Sequence, residues 1–338
     1  MQLVHAQRLI SPSSWLMPPA DSWIEPAAPP PPAMDEVEIT EIPPLQPNEK
    51  SLLEMHSLLN ILNVLRGELS LIGLALANDD TLLQESHALC RRLIVSLCSM
   101  DGGLAMAGDM DLHQQQVLGE IEEAFSTRPA ARDNLEVTES VANLRSAFAI
   151  LRVRAREVLA RFKHPERWVY CSGTRLRCEI HDVMLAMERT SRHRFRVVYN
   201  PALQRPTDYY LDLQIDGSQG DHLWMPPVIK DVLRDLIANA RKYTPPGGRI
   251  TAALHARKRT LRLVVEDTGR GIPPREIATV VHFGRRASNV ADVRTMGGGF
   301  GLTKAFFVAK QFGGRFWIAS KLGVGTRIRL EIPAPRSG

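Results

Sequence analysis

Cysteine is scarce in this chain of 338 residues. Cys90, Cys98, Cys171 and Cys178 are too few and too irregularly spaced for a disulfide framework or a zinc ribbon. Cys90 and Cys98 fall among apolar helical positions and read as reduced packing thiols. No uninterrupted apolar run approaches the ~20 residues that cross a bilayer, because the richest stretch, 52–76, is broken by His56, Asn60, Asn63, Arg66 and Glu68. The N-terminus also lacks a basic region followed by a clean apolar core, which argues against a cleavable signal peptide. No direct membrane span and a cytoplasmic location are therefore expected. Charge of one sign is not concentrated either. The net +5 is spread over arginines rather than gathered into patches interleaved with aromatics, which make up only 6% of the chain. Nucleic acid is accordingly not an expected partner.

What is present divides the chain. With 44% hydrophobic residues it can bury cores in two folded units beside a tail. Residues 1–50 hold Pro18, Pro19, Pro26, the run Pro29–Pro32, Pro43, Pro44 and Pro47 with little periodic apolar content, which predicts a disordered, polyproline-like tail. Trp15 and Trp23 in it are isolated aromatics.

The last third is rich in glycine turns: Asp267-Thr-Gly269-Arg-Gly271-Ile272, Gly297-Gly-Gly299-Phe-Gly301-Leu302 and Gly323-Val-Gly325-Thr326. Glycine brings backbone N–H groups up to phosphate oxygens with no Cβ in the way and accepts φ > 0, so 297–301 can wrap a polyphosphate. The helix expected from Leu302 onward would aim its free N–H groups and positive dipole end at the same anion. Asp267, at the end of a short apolar strand, is suited to accept a hydrogen bond from an amino group such as that of adenine. Upstream lies Asp235-Leu-Ile-Ala-Asn239-Ala-Arg-Lys242-Tyr243-Thr244. Asn239 offers a carbonyl oxygen to Mg²⁺, a hard cation, and Lys242 offers a positive charge to phosphates. Each motif alone is more often an ordinary turn or a solvated helix face; their order in one region points to a nucleotide pocket.

Asn239-Ala-Arg-Lys242-Tyr243-Thr244-Pro245 resembles the Asn-Ala-x-Lys-Tyr-Thr-Pro pattern of sensor histidine kinases, within the ATP-binding domain that they share with Hsp90, DNA gyrase and MutL. The resemblance covers 174–334. It implies an α/β sandwich of the Bergerat or GHKL type, with ATP and Mg²⁺ bound by Asp235, Asn239, Lys242, Tyr243, Asp267, Gly269, Gly271, Gly297, Gly299, Gly301, Leu302 and Thr326, and with Asn239 on the metal. Asp235 stands where the family more often has Glu or Asn, and it is expected to hold the metal's waters. Strands are predicted at 195–199, 210–215, 250–254, 261–265, 315–319 and 327–332, and helices around 174–191, 226–243 and 301–312. The stretch 273–300, with Arg285 and Arg286, is the expected lid.

Within 51–107, Met55, Leu58, Leu62, Leu65, Leu69, Ile72 and Leu76 alternate spacings of three and four, predicting a helix with a coiled-coil seam. His56, Asn60, Asn63, Gly67 and Ser70 form a second stripe, expected to be exposed, on which His56 is free to act as a nucleophile. The run His56-Ser-Leu58-Leu-Asn60 resembles the phosphoacceptor motif of histidine kinases, His-Glu/Asp-Leu-x-Asn/Thr. That implies His56 as the phosphorylated residue, Asn60 as a catalytic partner, and a return helix over Leu82–Leu104 that closes a hairpin and, in a homodimer, a four-helix bundle. The acidic residue that follows the histidine in that family is Ser57 here. Glu54 lies about 200° around the helix from His56 and does not substitute for it.

Residues 108–173 form an insert. Val141, Leu144, Phe148, Leu151, Ala155, Val158 and Phe162 predict a long amphipathic helix, read as a coiled-coil arm with Arg145, Arg152, Arg154, Arg156 and Arg161 on solvated faces. The whole is an α+β chain: a helical hairpin, a helical insert and an ATP-binding sandwich. The function expected is ATP-dependent autophosphorylation on His56 and transfer to an aspartate of a response-regulator receiver domain, under an upstream sensor protein. The alternatives are a non-kinase ATPase switch of the same superfamily and a degenerate kinase that serves as a phosphotransfer scaffold.

Overall fold

The computed structural model describes residues 34–335 apart from 80–81, 192–193, 218–219, 258 and 294–297. Residues from Met34 onward form one compact unit with two cores, one helical and one built on a sheet.

The helical part begins with α1 (Pro47–Glu54) and α2 (His56–Ala77), separated by Met55 alone. α2 ends at Asn78, whose left-handed φ of 53° stops the helix. α3 (Gln84–Ser96), α4 (Met100–Gly108) and α5 (Met110–Thr127) follow, and α6 (Leu135–Lys163) returns along α2. Asn134 caps α6, its side-chain oxygen accepting the N–H groups of Glu136 and Val137. The seam of α2 is buried as its spacing requires, with Met55, Leu58, Leu62, Leu65, Leu69 and Ile72 all inside.

What covers that seam differs from the expectation. Asn143 Nδ2 donates to Glu68 Oε1, and Arg161 donates to the Glu54 carbonyl, so α6 runs antiparallel to α2. Leu144, Phe148, Leu151, Ala155 and Val158 of α6 share one core with the α2 seam. The return arm is therefore α6. The stretch read as the return helix is broken into α3 and α4 at Leu97–Ser99, and 78–134 is an elaboration of the hairpin's turn. The expected coiled-coil arm is half of the bundle itself. Periodicity says that a helix needs a partner and does not say which one. Phe162 is 56% exposed and off the buried face. α2 is the one helix among the described residues long and apolar enough to cross a membrane, and here that apolar side packs on α6.

β2 (Val169–Ser172) and β5 (His222–Met225), far apart in the chain, pair antiparallel as a separate two-stranded sheet. The main sheet has the order β1-β8-β9-β7-β6-β4-β3, where β3 is Val197–Val198, β4 Tyr209–Asp216, β6 Arg249–Arg257, β7 Thr260–Asp267, β8 Arg315–Lys321 and β9 Gly325–Pro333. β3, β4 and β6 are parallel neighbours and the other pairs antiparallel. All six strands expected from the sequence are present. The helices α7 (Gly173–Thr190), α8 (Val228–Tyr243) and α9 (Gly301–Gln311) complete the sandwich core with the sheet.

The edge strand β1 (Glu36–Ile39) corrects the reading of 1–50 as a disordered tail. It pairs antiparallel with β8, Glu36 opposite Ala319 and Ile39 opposite Phe316. Glu38 bonds to Arg315 and Glu36 to Arg329, while the Arg329 guanidinium lies 3.7 Å over the Trp317 ring. Acid alternating with apolar residues along Glu36-Val-Glu-Ile39, against an arginine-bearing edge, outweighs the nearby prolines. The tail's remaining residues, 1–33, with Trp15 and Trp23, lie outside the described residues.

Candidate functional site

β7 ends on Asp267, and the turn beyond it is shaped by glycines. Gly269 N donates to Asp267 Oδ1 at 2.8 Å and Thr326 N to the same oxygen at 3.3 Å, which leaves Oδ2 for a ligand. A Cβ on Gly269 would stand 2.6 Å from Asp267 Oδ1 and from the Tyr243 carbonyl. Gly271 holds φ of 69° against the Lys321 carbonyl. Burial pushes the Asp267 carboxyl up to about 7, with the Gly269 and Thr326 N–H groups opposing the shift.

At the other end, α8 presents Asn239, Lys242 and Tyr243 on its last two turns. A Cβ on Gly301 would lie 2.6 Å from Asn239 Nδ2, so the first residue of α9 is pressed against Asn239. No described group hydrogen-bonds the Asn239 amide, which leaves its oxygen for a cation. Burial, with the Arg286 and Arg241 guanidinium groups close by, lowers the Lys242 ammonium to about 8. Arg286 donates to the Val290 and Val293 carbonyls and so braces the expected lid. Gly299 adopts φ of 78°, Leu302 packs on the sandwich core, and Gly297 lies outside the described residues. Asn239, Lys242, Tyr243, Asp267, Gly269, Gly271, Gly299, Gly301 and Thr326 thus sit around one junction of α8, α9 and the β7 turn.

Two expectations fail. His56 is not exposed: it is 5% accessible, its Nδ1 lies 3.4 Å from Asp235 Oδ2, and its ring meets the edge of Phe300, centroids 5.5 Å apart. At His56 the outward stripe of α2 is covered by Asp235 and Phe300 of the sandwich, whereas Gly67 farther along it is exposed. Asp235, expected to hold the metal's waters, faces side chains here, beginning with the His56 ring. Its Oδ2 also lies 3.2 Å from Lys304 Nζ, a side chain only 3% exposed. Burial alone would raise the Asp235 carboxyl; the Lys304 ammonium and the His56 ring outweigh it and hold the group well below the usual carboxylate range.

Sequence reasoning missed Lys304, Phe300 and Phe283. Lys304 lies on the buried stripe with Gly301, Ala305 and Val308, and a lysine at a core spacing of a helix was the available signal. Phe300, which meets His56, stacks on a second lid aromatic, Phe283, at 4.4 Å. The arginines read as solvated, Arg154 and Arg161, instead meet Asp231 of α8, Arg161 Nη1 at 3.0 Å from Oδ2. Arg161 also approaches Glu54, 3.4 Å away. A buried chain of ion pairs thus joins the bundle to the sandwich.

Residues 226–336 match the family described as histidine kinase-, DNA gyrase B- and HSP90-like ATPase. The match falls on the sandwich, from α8 onward. The adaptive-response sensory kinase SasA of Synechococcus elongatus is 38% identical over 112 residues, 33% of this chain and 28% of that one. The histidine protein kinase DivJ of Caulobacter vibrioides is 35% identical over 105 residues, 31% of this chain and 17% of that one. SasA of Thermosynechococcus vestitus is 31% identical over 155 residues, 46% of this chain and 36% of that one. The chain spans between 17% and 36% of the length of these relatives. The solved catalytic domain of histidine kinase ThkA overlaps 50% of this chain and 98% of its own at 18% identity and a TM-score of 0.36.

Proposed function

We propose that the chain is a protein histidine kinase that phosphorylates His56 from ATP bound in its own pocket and passes the phosphoryl group to an aspartate of a response-regulator receiver domain. The observation that carries this reading is the position of the His56 ring, against Asp235 of α8, one helical turn before Asn239 of the same helix. Asp267 Oδ2 accepts the adenine amino group. Lys242, Arg286 and the α9 N-terminus at Gly301 neutralise the phosphates. Asn239 Oδ1 would hold Mg²⁺, which would supply screening of the phosphate charge. The Phe300–Phe283 pair must part from His56 to admit the γ-phosphate.

The homodimer implied by the resemblance would use faces other than the α2 seam, which α6 already covers; Leu71 and Leu74 of α2 and Ile150 and Val153 of α6 remain exposed. The ATPase alternative needs a water-activating acid, and Asp235 is engaged by Lys304 and His56 instead. An upstream sensor protein and a cytoplasmic location belong to the same proposal.

The test is incubation with γ-labelled ATP. Acid-labile, alkali-stable label that disappears in His56→Gln supports the kinase. Free phosphate without protein label supports the ATPase, and neither product supports the scaffold.

A further inference from the structure

We propose that Asp235 is the positioning carboxylate of His56, reaching across from the ATP-binding domain to do what an acidic neighbour on the histidine's own helix would otherwise do. The inference rests on the function proposed above. Position 57 is Ser, and Glu54 is turned to Arg161, so α1 and α2 offer His56 no acid. Asn60 Nδ2 lies 3.1 Å from His56 Nε2. With the Asn60 amide nitrogen turned to it, Nε2 is assigned the lone pair and Nδ1, 3.4 Å from Asp235 Oδ2 and without a nearer hydrogen-bond partner, the ring proton.

The carboxylate is itself held in place. Lys304 of α9 lies 3.2 Å from Asp235 Oδ2 and 3.9 Å from Asp231 Oδ2. Asp231 is gripped by Arg154 and Arg161 of α6 and by Arg234. A charge relay from bundle to sandwich therefore fixes where the imidazole points, and it forms only when the two parts are docked. During transfer, Nε2 exchanges the Asn60 N–H for phosphorus. A new N–P bond forms from its lone pair, and the bond from phosphorus to the β,γ-bridging oxygen breaks, its electron pair leaving with ADP. The Nδ1 proton stays on the ring, and the Asp235 carboxylate beside it stabilises the positive charge that develops there. An acid placed on the ATP-binding domain makes His56 reactive only in the docked arrangement.

The test uses the full chain. Long-range ¹H–¹⁵N spectra of the wild type, with His56 assigned by difference against His56→Gln, should show the proton on Nδ1. Asp235→Asn should take up label from γ-labelled ATP about 100-fold more slowly, the scale of a lost acid–base partner, while its affinity for a fluorescent ATP analogue changes less than about threefold. Adding Ser57→Glu to that variant should restore about tenfold of the loss, which a merely structural role for Asp235 would not allow. A wild-type ring protonated on Nε2, or an Asp235→Asn protein labelled at the wild-type rate, overturns the proposal. If Asp235→Asn does not fold, as lost analogue binding would reveal, the wild-type tautomer decides. If the wild type takes up no label, the kinase reading fails and the tautomer still judges the contact.

Discussion

The two ends of the proposed nucleotide site carry buried groups of opposite charge. At the adenine end a single carboxyl, Asp267, is buried with only backbone N–H groups for company and is pushed up to about 7. At the phosphate end burial, with the Arg286 and Arg241 guanidinium groups close by, depresses Lys242 to about 8. Each end carries a cost in the free protein that a complementary ligand group removes: a hydrogen-bond donor at Asp267, an anion at Lys242. The difference teaches that the site is matched to a ligand with a donor at one end and negative charge at the other.

The largest effect that separates the two ends is on stability against pH without nucleotide. Asp267 titrates at about 7 in the folded chain against an ordinary 3.8, so the folded state binds the extra proton. Stability falls as pH rises from about 4 to about 7, by as much as ~1.4 kcal/mol per pH unit. Asp267→Asn should flatten that slope in denaturant titrations; an unchanged slope breaks the account of the adenine end. The same variant should weaken ATP binding about 10- to 100-fold by calorimetry, the scale of a lost hydrogen bond to a charged acceptor. Lys242 has the opposite sign: lowered from 10.5 to about 8, it adds stability as pH rises from about 8 to about 10.5, and Lys242→Met removes that gain. ATP affinity should decline above about pH 8 in the wild type and not in the variant, where a loss of about tenfold is already present. Smaller still is Gly301→Ala, whose methyl must displace the Asn239 amide nitrogen 2.6 Å away. Mg²⁺-dependent ATP affinity should fall about threefold and Mg²⁺-free binding hardly at all.

How much the sequence revealed follows the same division between local and distant causes. The ATP-binding half was legible because its glycines, Asn239, Lys242 and Asp267 act within turns a few residues long, and its six principal strands alternate in the expected way. The helical half was legible only as helices. Met55 to Ile72 announced a seam, but nothing local distinguishes α3 from α6 as its cover, and the distant contacts Glu68–Asn143 and Arg161–Glu54 decide the matter. β1 was hidden by its prolines, since the arginines that attract it lie ~280 residues on. The surroundings of His56 were misjudged for the same reason: the groups that bury it, Asp235 and Phe300, come from the other half of the chain. Lys304 alone carried a local warning, a lysine on an apolar helical stripe.

The central claim is that His56 receives its phosphoryl group from the pocket of its own chain, and mixing two crippled proteins tests it most directly. His56→Gln binds ATP but has no acceptor; Asn239→Ala keeps the acceptor but lacks the cation-holding amide. After co-incubation under conditions that allow subunit exchange, with γ-labelled ATP, neither chain should carry label. Label on the Asn239→Ala chain would mean that a partner's pocket serves His56, and would contradict the account.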